Sequence, residues 1–80
     1  MSNSVRLEKG ANSLELTRVV GYTVGELFDD TVVQDALDLT GDESVEICGS
    51  GSNDFESADT DDVANEGDTV RFSRSSGRKG

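Results

Sequence analysis

The carboxylates of Asp54, Glu56, Asp59, Asp61 and Asp62 form the densest run of hard oxygen donors in the sequence, the ligand type that Ca²⁺ and Mg²⁺ take. Their spacing departs from the calcium-binding loop, which needs a central Gly and a closing Glu, so no metal is assigned to them. Cys48, followed by Gly49, is the only thiol, and the sequence has no His to activate it as a nucleophile. Cys48 therefore reads as a buried core residue. A single Cys without His also excludes an intramolecular disulfide and a cysteine-based zinc site. Gly49-Ser50-Gly51-Ser52 is glycine-rich, yet neither a Lys nor a helix start follows it, as a phosphate-binding loop requires. No catalytic constellation emerges, so the expectation is a protein that is not an enzyme and takes no cofactor or metal.

Charge singles out the last residues, Phe72-Ser73-Arg74-Ser75-Ser76-Gly77-Arg78-Lys79-Gly80. They lose apolar character after Phe72, carry the bases Arg74, Arg78 and Lys79, and close on glycine. The rest of the chain is strongly acidic: the net charge is −10, and between Val19 and Val70 there are fifteen Asp or Glu and no Lys or Arg. Residues 74–80 thus read as a flexible basic tail that a partner can grip. The competing readings are an ordinary frayed terminus, a segment folding back on the acidic body, and a weak, salt-sensitive contact with nucleic acid. An acidic body repels a phosphate backbone, so direct nucleic-acid binding is not expected. The acidity itself fits solubility, adaptation to high salt, or capture of a basic partner, and composition does not choose among them.

The elements that must carry this tail are short. Ser4-Val5-Arg6-Leu7-Glu8 and Ser13-Leu14-Glu15-Leu16-Thr17-Arg18-Val19 alternate apolar and polar residues around Lys9-Gly10-Ala11-Asn12, predicting a hairpin with Val5, Leu7, Leu14 and Leu16 on one face. The interval looks longer than a two-residue turn, so no turn type is assigned. Thr23-Val24-Gly25-Glu26 has the form of a capping box and predicts a helix start, with Glu26, Asp29 and Asp30 near the positive end of its dipole. Leu27, Phe28, Val32, Ala36 and Leu39 could share one helix face, either in one helix to about Leu39 or in two short ones divided at β-branched Thr31-Val32-Val33. Thr40-Gly41-Asp42 supplies the stop. Ser44-Val45-Glu46-Ile47-Cys48 predicts a third strand with Val45 and Ile47 inward. The acidic stretch to Glu66 is a long loop or holds one poorly patterned strand, with only Phe55, Ala58, Val63 and Ala64 to bury. Glu66-Gly67-Asp68 turns into a final strand, Thr69-Val70-Arg71-Phe72-Ser73.

The order β-β-α-β-(β)-β describes an α+β protein: a single β-grasp, ubiquitin-like domain over 1–73, followed by the tail at 74–80. Particular residues carry a resemblance as well. Thr23-Val24-Gly25-Glu26-Leu27 resembles the helix start of the sulfur-carrier proteins of molybdopterin and thiamine synthesis, and Glu66 to Phe72 looks like the turn and last strand of that superfamily. The ending through Lys79-Gly80 is similar to the tail of prokaryotic ubiquitin-like proteins of PRTRC-type plasmid systems. That resemblance implies a protein modifier or carrier. Its partner would be an E1-like activating enzyme that adenylates the carboxylate of Gly80 while gripping Gly77, Arg78 and Lys79 behind it. The Lys-Gly ending departs from the Gly-Gly of sulfur carriers and ubiquitin, which speaks against thiocarboxylate chemistry. The second reading is a non-enzymatic acidic adaptor, phage- or virion-associated or binding a basic partner, that uses the sheet as its contact surface.

Eighty residues suffice for one small core and not for a large enclosed active site. No apolar run approaches the length needed to span a bilayer, Met1-Ser2-Asn3-Ser4 lacks signal-peptide character, and the lone Cys suits a reducing compartment, so a cytoplasmic location is expected. An open sheet edge could pair with a second copy, giving a homo-oligomer.

Overall fold

The final strand lies in the middle of the sheet. In a computed structural model of the chain, which describes residues 3–73, the elements follow the order β1 Val5–Lys9, β2 Asn12–Leu16, α1 Val24–Asp29, α2 Thr31–Leu37, β3 Ser44–Cys48, β4 Glu56–Ala58 and β5 Thr69–Ser73. They build an α+β fold with one five-stranded mixed sheet ordered β2-β1-β5-β3-β4. β1 pairs antiparallel with β2 and parallel with β5; β5 pairs antiparallel with β3, and β3 with β4.

The hairpin forms where the alternation predicts it, but its loop is tighter than expected. Lys9 pairs with Asn12, leaving only Gly10 and Ala11 between the strands. Gly10 has φ 59°, a conformation that needs glycine at the first position of a two-residue turn of the type II′ kind. Val5 and Leu7 are fully buried, and Leu14 and Leu16 pack half-buried beside them.

The capping box is complete. The Glu26 amide donates to Thr23 Oγ1 at 3.2 Å, and the Thr23 amide donates to Glu26 Oε1 at 2.9 Å. Of the two helical arrangements open to the sequence, the divided one occurs, and the break falls at Asp30. Its carboxylate accepts from the amides of Val32 and Val33 at 3.0 and 3.3 Å and so caps a second helix, while its own amide donates to the Leu27 carbonyl. This restart rotates the apolar face. Val24, Leu27, Val33 and Leu37 are buried, whereas Val32 is 48% exposed and Ala36 is exposed, so the single stripe through Val32 and Ala36 is corrected. The stop is corrected too: α2 ends at Leu37, with Asp38 in the left-handed conformation (φ 54°) rather than at Gly41.

Helix and loop residues Val19, Val24, Leu27, Val33, Leu37 and Ala64 close over Val5, Leu7, Val45, Val70 and Phe72 of the sheet. Phe28 meets Phe72 edge to face, with ring centroids 5.3 Å apart. Burying this cluster is the main favourable term in folding so short a chain. The stretch after β3 is mostly loop, as its acidity predicts, with the short β4 inside it. Residues 60–64 run beside 21–25 through bonds such as Val24 amide to Asp62 carbonyl and Ala64 amide to Tyr22 carbonyl. Asp68 is buried and accepts from the amides of Ser50 and Asn65, and Gly67 (φ 84°) has Ser50 where a Cβ would stand, at 3.0 Å. Among the described residues no helix is long and apolar enough to cross a membrane.

Candidate functional site

Phe72 and Ser73 end β5 between two neighbours. On one side Phe72 pairs with Lys9 at the end of β1, and on the other Ser73 pairs with Ser44 at the start of β3. Ser73, the last described residue, therefore stands at the centre of one sheet end. The residues assigned to activation and recognition, Gly77, Arg78, Lys79 and Gly80, lie outside the described residues.

This sheet end is held by a buried carboxylate. The Glu43 side chain is 1% exposed, and its Oε2 accepts from Lys9 Nζ at 2.7 Å, from the Thr40 amide at 2.8 Å and from Thr40 Oγ1 at 3.1 Å. Its Oε1 accepts from the Gly41 amide at 2.9 Å. Lys9 also donates to the Asp38 carbonyl at 2.6 Å, at the end of α2. One ion pair thus ties β1, the end of α2 and the 38–43 loop into a collar around the end of β5. Burial alone would push the Glu43 carboxyl up, but the Lys9 ammonium and the backbone amides of Thr40 and Gly41 outweigh it and hold the group down at about 2.

Two grooves flank this sheet end. The first, of 730 Å³, lies toward the hairpin loop and the end of α2; its charged wall residues are Glu8, Lys9, Asp38 and Arg71, so its charge is balanced. The second, of 790 Å³, lies toward β4 and is lined by Val24, Phe28, Val45 and Ala58 together with Asp59 and Asp61. Its remaining charged wall residue is Glu43, already paired with Lys9, and no cation lines it.

Arg6 and Arg71, polar members of the alternating strands, make contacts across the sheet. Arg6 Nε donates to Glu8 Oε2 at 2.8 Å, and Arg71 Nε lies 3.7 Å from Glu8 Oε1. The Arg71 guanidinium also sits 3.9 Å over the Phe55 ring, drawing the acidic loop onto β5. Lys9, Glu43 and Asp38 were missed as determinants of this sheet end because their partners are far apart in the chain; the only local signal is Thr40-Gly41 two and three residues before Glu43. Cys48 is buried, as expected, with Sγ 3.0 Å from the Ser52 carbonyl. Compared with protein-family models, with curated proteins and with solved structures, the chain matches none.

Proposed function

We propose that the chain is a β-grasp, ubiquitin-like modifier or carrier whose carboxylate at Gly80 is activated by an E1-like enzyme. The observation that supports this most is the five-stranded mixed sheet in the order β2-β1-β5-β3-β4 with helices packed on it, an arrangement compatible with a β-grasp. In that order β5 is central, and Ser73 ends it beside the collar that Lys9, Glu43 and the Asp38 carbonyl form. Activation joins the Gly80 carboxylate to the α-phosphate of ATP, releases pyrophosphate and leaves an acyl adenylate. Glycine leaves that carboxylate unhindered.

The test is ATP–pyrophosphate exchange with E1-like enzymes of the same genome, together with the intact mass of the native protein, which must end at Gly80. Exchange that requires the chain and disappears when Gly80 is deleted supports the reading. Equal exchange with and without Gly80 overturns it.

The adaptor reading rests on a different observation, the fifteen acids and absent bases between Val19 and Val70. It predicts partners that tolerate loss of 74–80 but not charge reversal on the body.

A further inference from the structure

β2 is one edge of the sheet, and among the described residues no strand pairs with its outer side. The hairpin loop holds only Gly10 and Ala11, so Lys9 and Asn12 form the hydrogen-bonded pair that closes it, and alternation makes Leu7–Leu14 and Val5–Leu16 hydrogen-bonded as well. The amides and carbonyls of Ser13 and Glu15 therefore point away from β1. The far side of the hairpin obeys the same alternation: Arg6, which stands opposite Glu15, turns its amide away from β2 and donates to the Asp68 carbonyl at 3.0 Å. Outward backbone groups without partners are a template for a further strand. β2 lacks the usual guards against one, having no Lys, no Pro and no bulge in its pairing with β1. The opposite edge is guarded, since β4 has only three residues and lies among Asp54, Glu56 and Asp59.

We propose that β2 pairs antiparallel with β2 of a second copy, across a two-fold axis at Leu14. In an antiparallel ladder outward groups bond only to outward groups, so Ser13 of each copy stands opposite Glu15 of the other and the two exchange both N–H···O bonds. Leu14 then meets its own counterpart in the closer, non-hydrogen-bonded position, on the helix-bearing face where it is half-buried in the single chain. A slip of one residue sets outward groups against inward ones. A slip of two in one direction opposes Glu15 to Glu15, a like-charge pair, and in the other draws Ala11 of the hairpin loop into the ladder. Glu15 is the only charged residue of β2, so the register that satisfies the backbone also keeps the two carboxylates from direct opposition and sets a serine hydroxyl across from each. The edge is thus self-complementary, as a closed two-fold dimer requires. β1 lies between β2 and β5, so the pairing leaves the neighbours of β5 in place. A contact built on five residues belongs with weak, transient interfaces. Each chain carries −10, so salt strengthens the association by screening repulsion between copies.

The experiment is sedimentation equilibrium of the full chain from roughly 10 μM to 1 mM, the range of weak complexes, at low salt and at about 1 M salt, with amide hydrogen exchange on the same samples. The expected result is a monomer–dimer equilibrium that tightens with salt, with the Ser13 and Glu15 amides gaining protection as concentration rises. Ser13→Glu sets a carboxylate opposite Glu15 twice in each dimer and should weaken association roughly tenfold at low salt. The double variant S13E/E15K places opposite charges in the same two positions and should restore it, whereas a register with Glu15 opposite Glu15 would then oppose two lysines. Protection of the Leu7 and Leu14 amides, which bond within the hairpin, reports that each variant keeps its fold. The proposal is overturned if the chain stays monomeric throughout at both salts, if protection appears at Glu56–Ala58 instead, if S13E associates as well as the unaltered chain, or if S13E/E15K is no better than S13E. Pyrophosphate exchange at Gly80 is a separate measurement, and neither result depends on the other.

Discussion

Glu43 and Asp30 are two carboxylates set the same way in different surroundings. Each accepts from two backbone amides that would otherwise lack partners, and each is matched by one cation from a distant part of the chain. The difference lies in burial. Lys9 and Glu43 are 17% and 1% exposed at their side chains, whereas Arg18 and Asp30 are 47% and 8% exposed. Lys9 has been drawn from water along with its partner, and Arg18 keeps half its surface in solvent. Removing a cation should therefore matter far more at the collar than at the helix junction, because a carboxylate left alone in a dry site has no water to replace its partner.

The largest effect should come from Lys9→Met, which leaves the Glu43 carboxylate buried without its ammonium and should cost about 3–5 kcal/mol. Urea denaturation would read it as a lowered midpoint at unchanged slope. Adding Glu43→Gln should recover much of that loss, since the amide oxygen still accepts from Thr40 and Gly41 while the charge is gone. If the double variant is no better than the single, charge burial is not what makes the collar sensitive.

Next in size is Asp30→Ala, which removes the cap on α2 and the partner of Arg18 and should cost about 1–2 kcal/mol. Arg18→Gln should cost less again, since exposed ion pairs contribute little to stability. Equal losses for Arg18→Gln and Lys9→Met in the same urea titrations would erase the contrast between the two sites.

Acid titration of stability gives the finest discrimination. Hydrogen bonding from Arg18, together with the amides of Val33 and Val32, lowers the Asp30 carboxyl from 3.8 to about 2 against the opposing pull of burial, and the Arg18 guanidinium is raised in return. Glu43 falls from 4.5 to about 2. Both groups are stronger acids folded than unfolded, so their contributions are complete above the unfolded values and fade as pH drops from about 4.5 toward 2. Lys9→Met should flatten the upper part of that decline, where Glu43 begins to protonate in the unfolded chain, and Arg18→Gln the part below 3.8. Identical pH profiles for the two variants would show that neither carboxylate is linked to folding as its partners imply.

Legibility in the sequence followed the range of the interactions. The hairpin alternation, the Thr23–Glu26 box and the Val70, Phe72 pattern act over a few residues, and each appears where the residues put it. The tight Gly10-Ala11 loop escaped notice because Lys9 looks like turn material, although its side chain is recruited by Glu43, 34 positions away. The helix face through Val32 and Ala36 failed for a related reason. Asp30 serves as the end of one helix and the cap of the next, which shifts the phase of everything after it. At the candidate site, the unequal charge of the grooves beside Ser73 arises only when Glu8, Lys9 and Arg71 meet on one side and Asp59 and Asp61 gather on the other. That is a property of strand order and not of any local run.

The central place of β5 also bears on how the chain is made. Its neighbours β1 and β3 are separated by the strand that is synthesised last, and Arg6 must find Thr69 across nearly the whole sequence. Contacts of such long range are slow to close and reward the chain only once complete. A nascent chain whose residues 69–73 are still inside the ribosome holds a hairpin and helices with no middle to join them. The sheet can be completed, and the collar closed at its end, only once residues 69–73 are free.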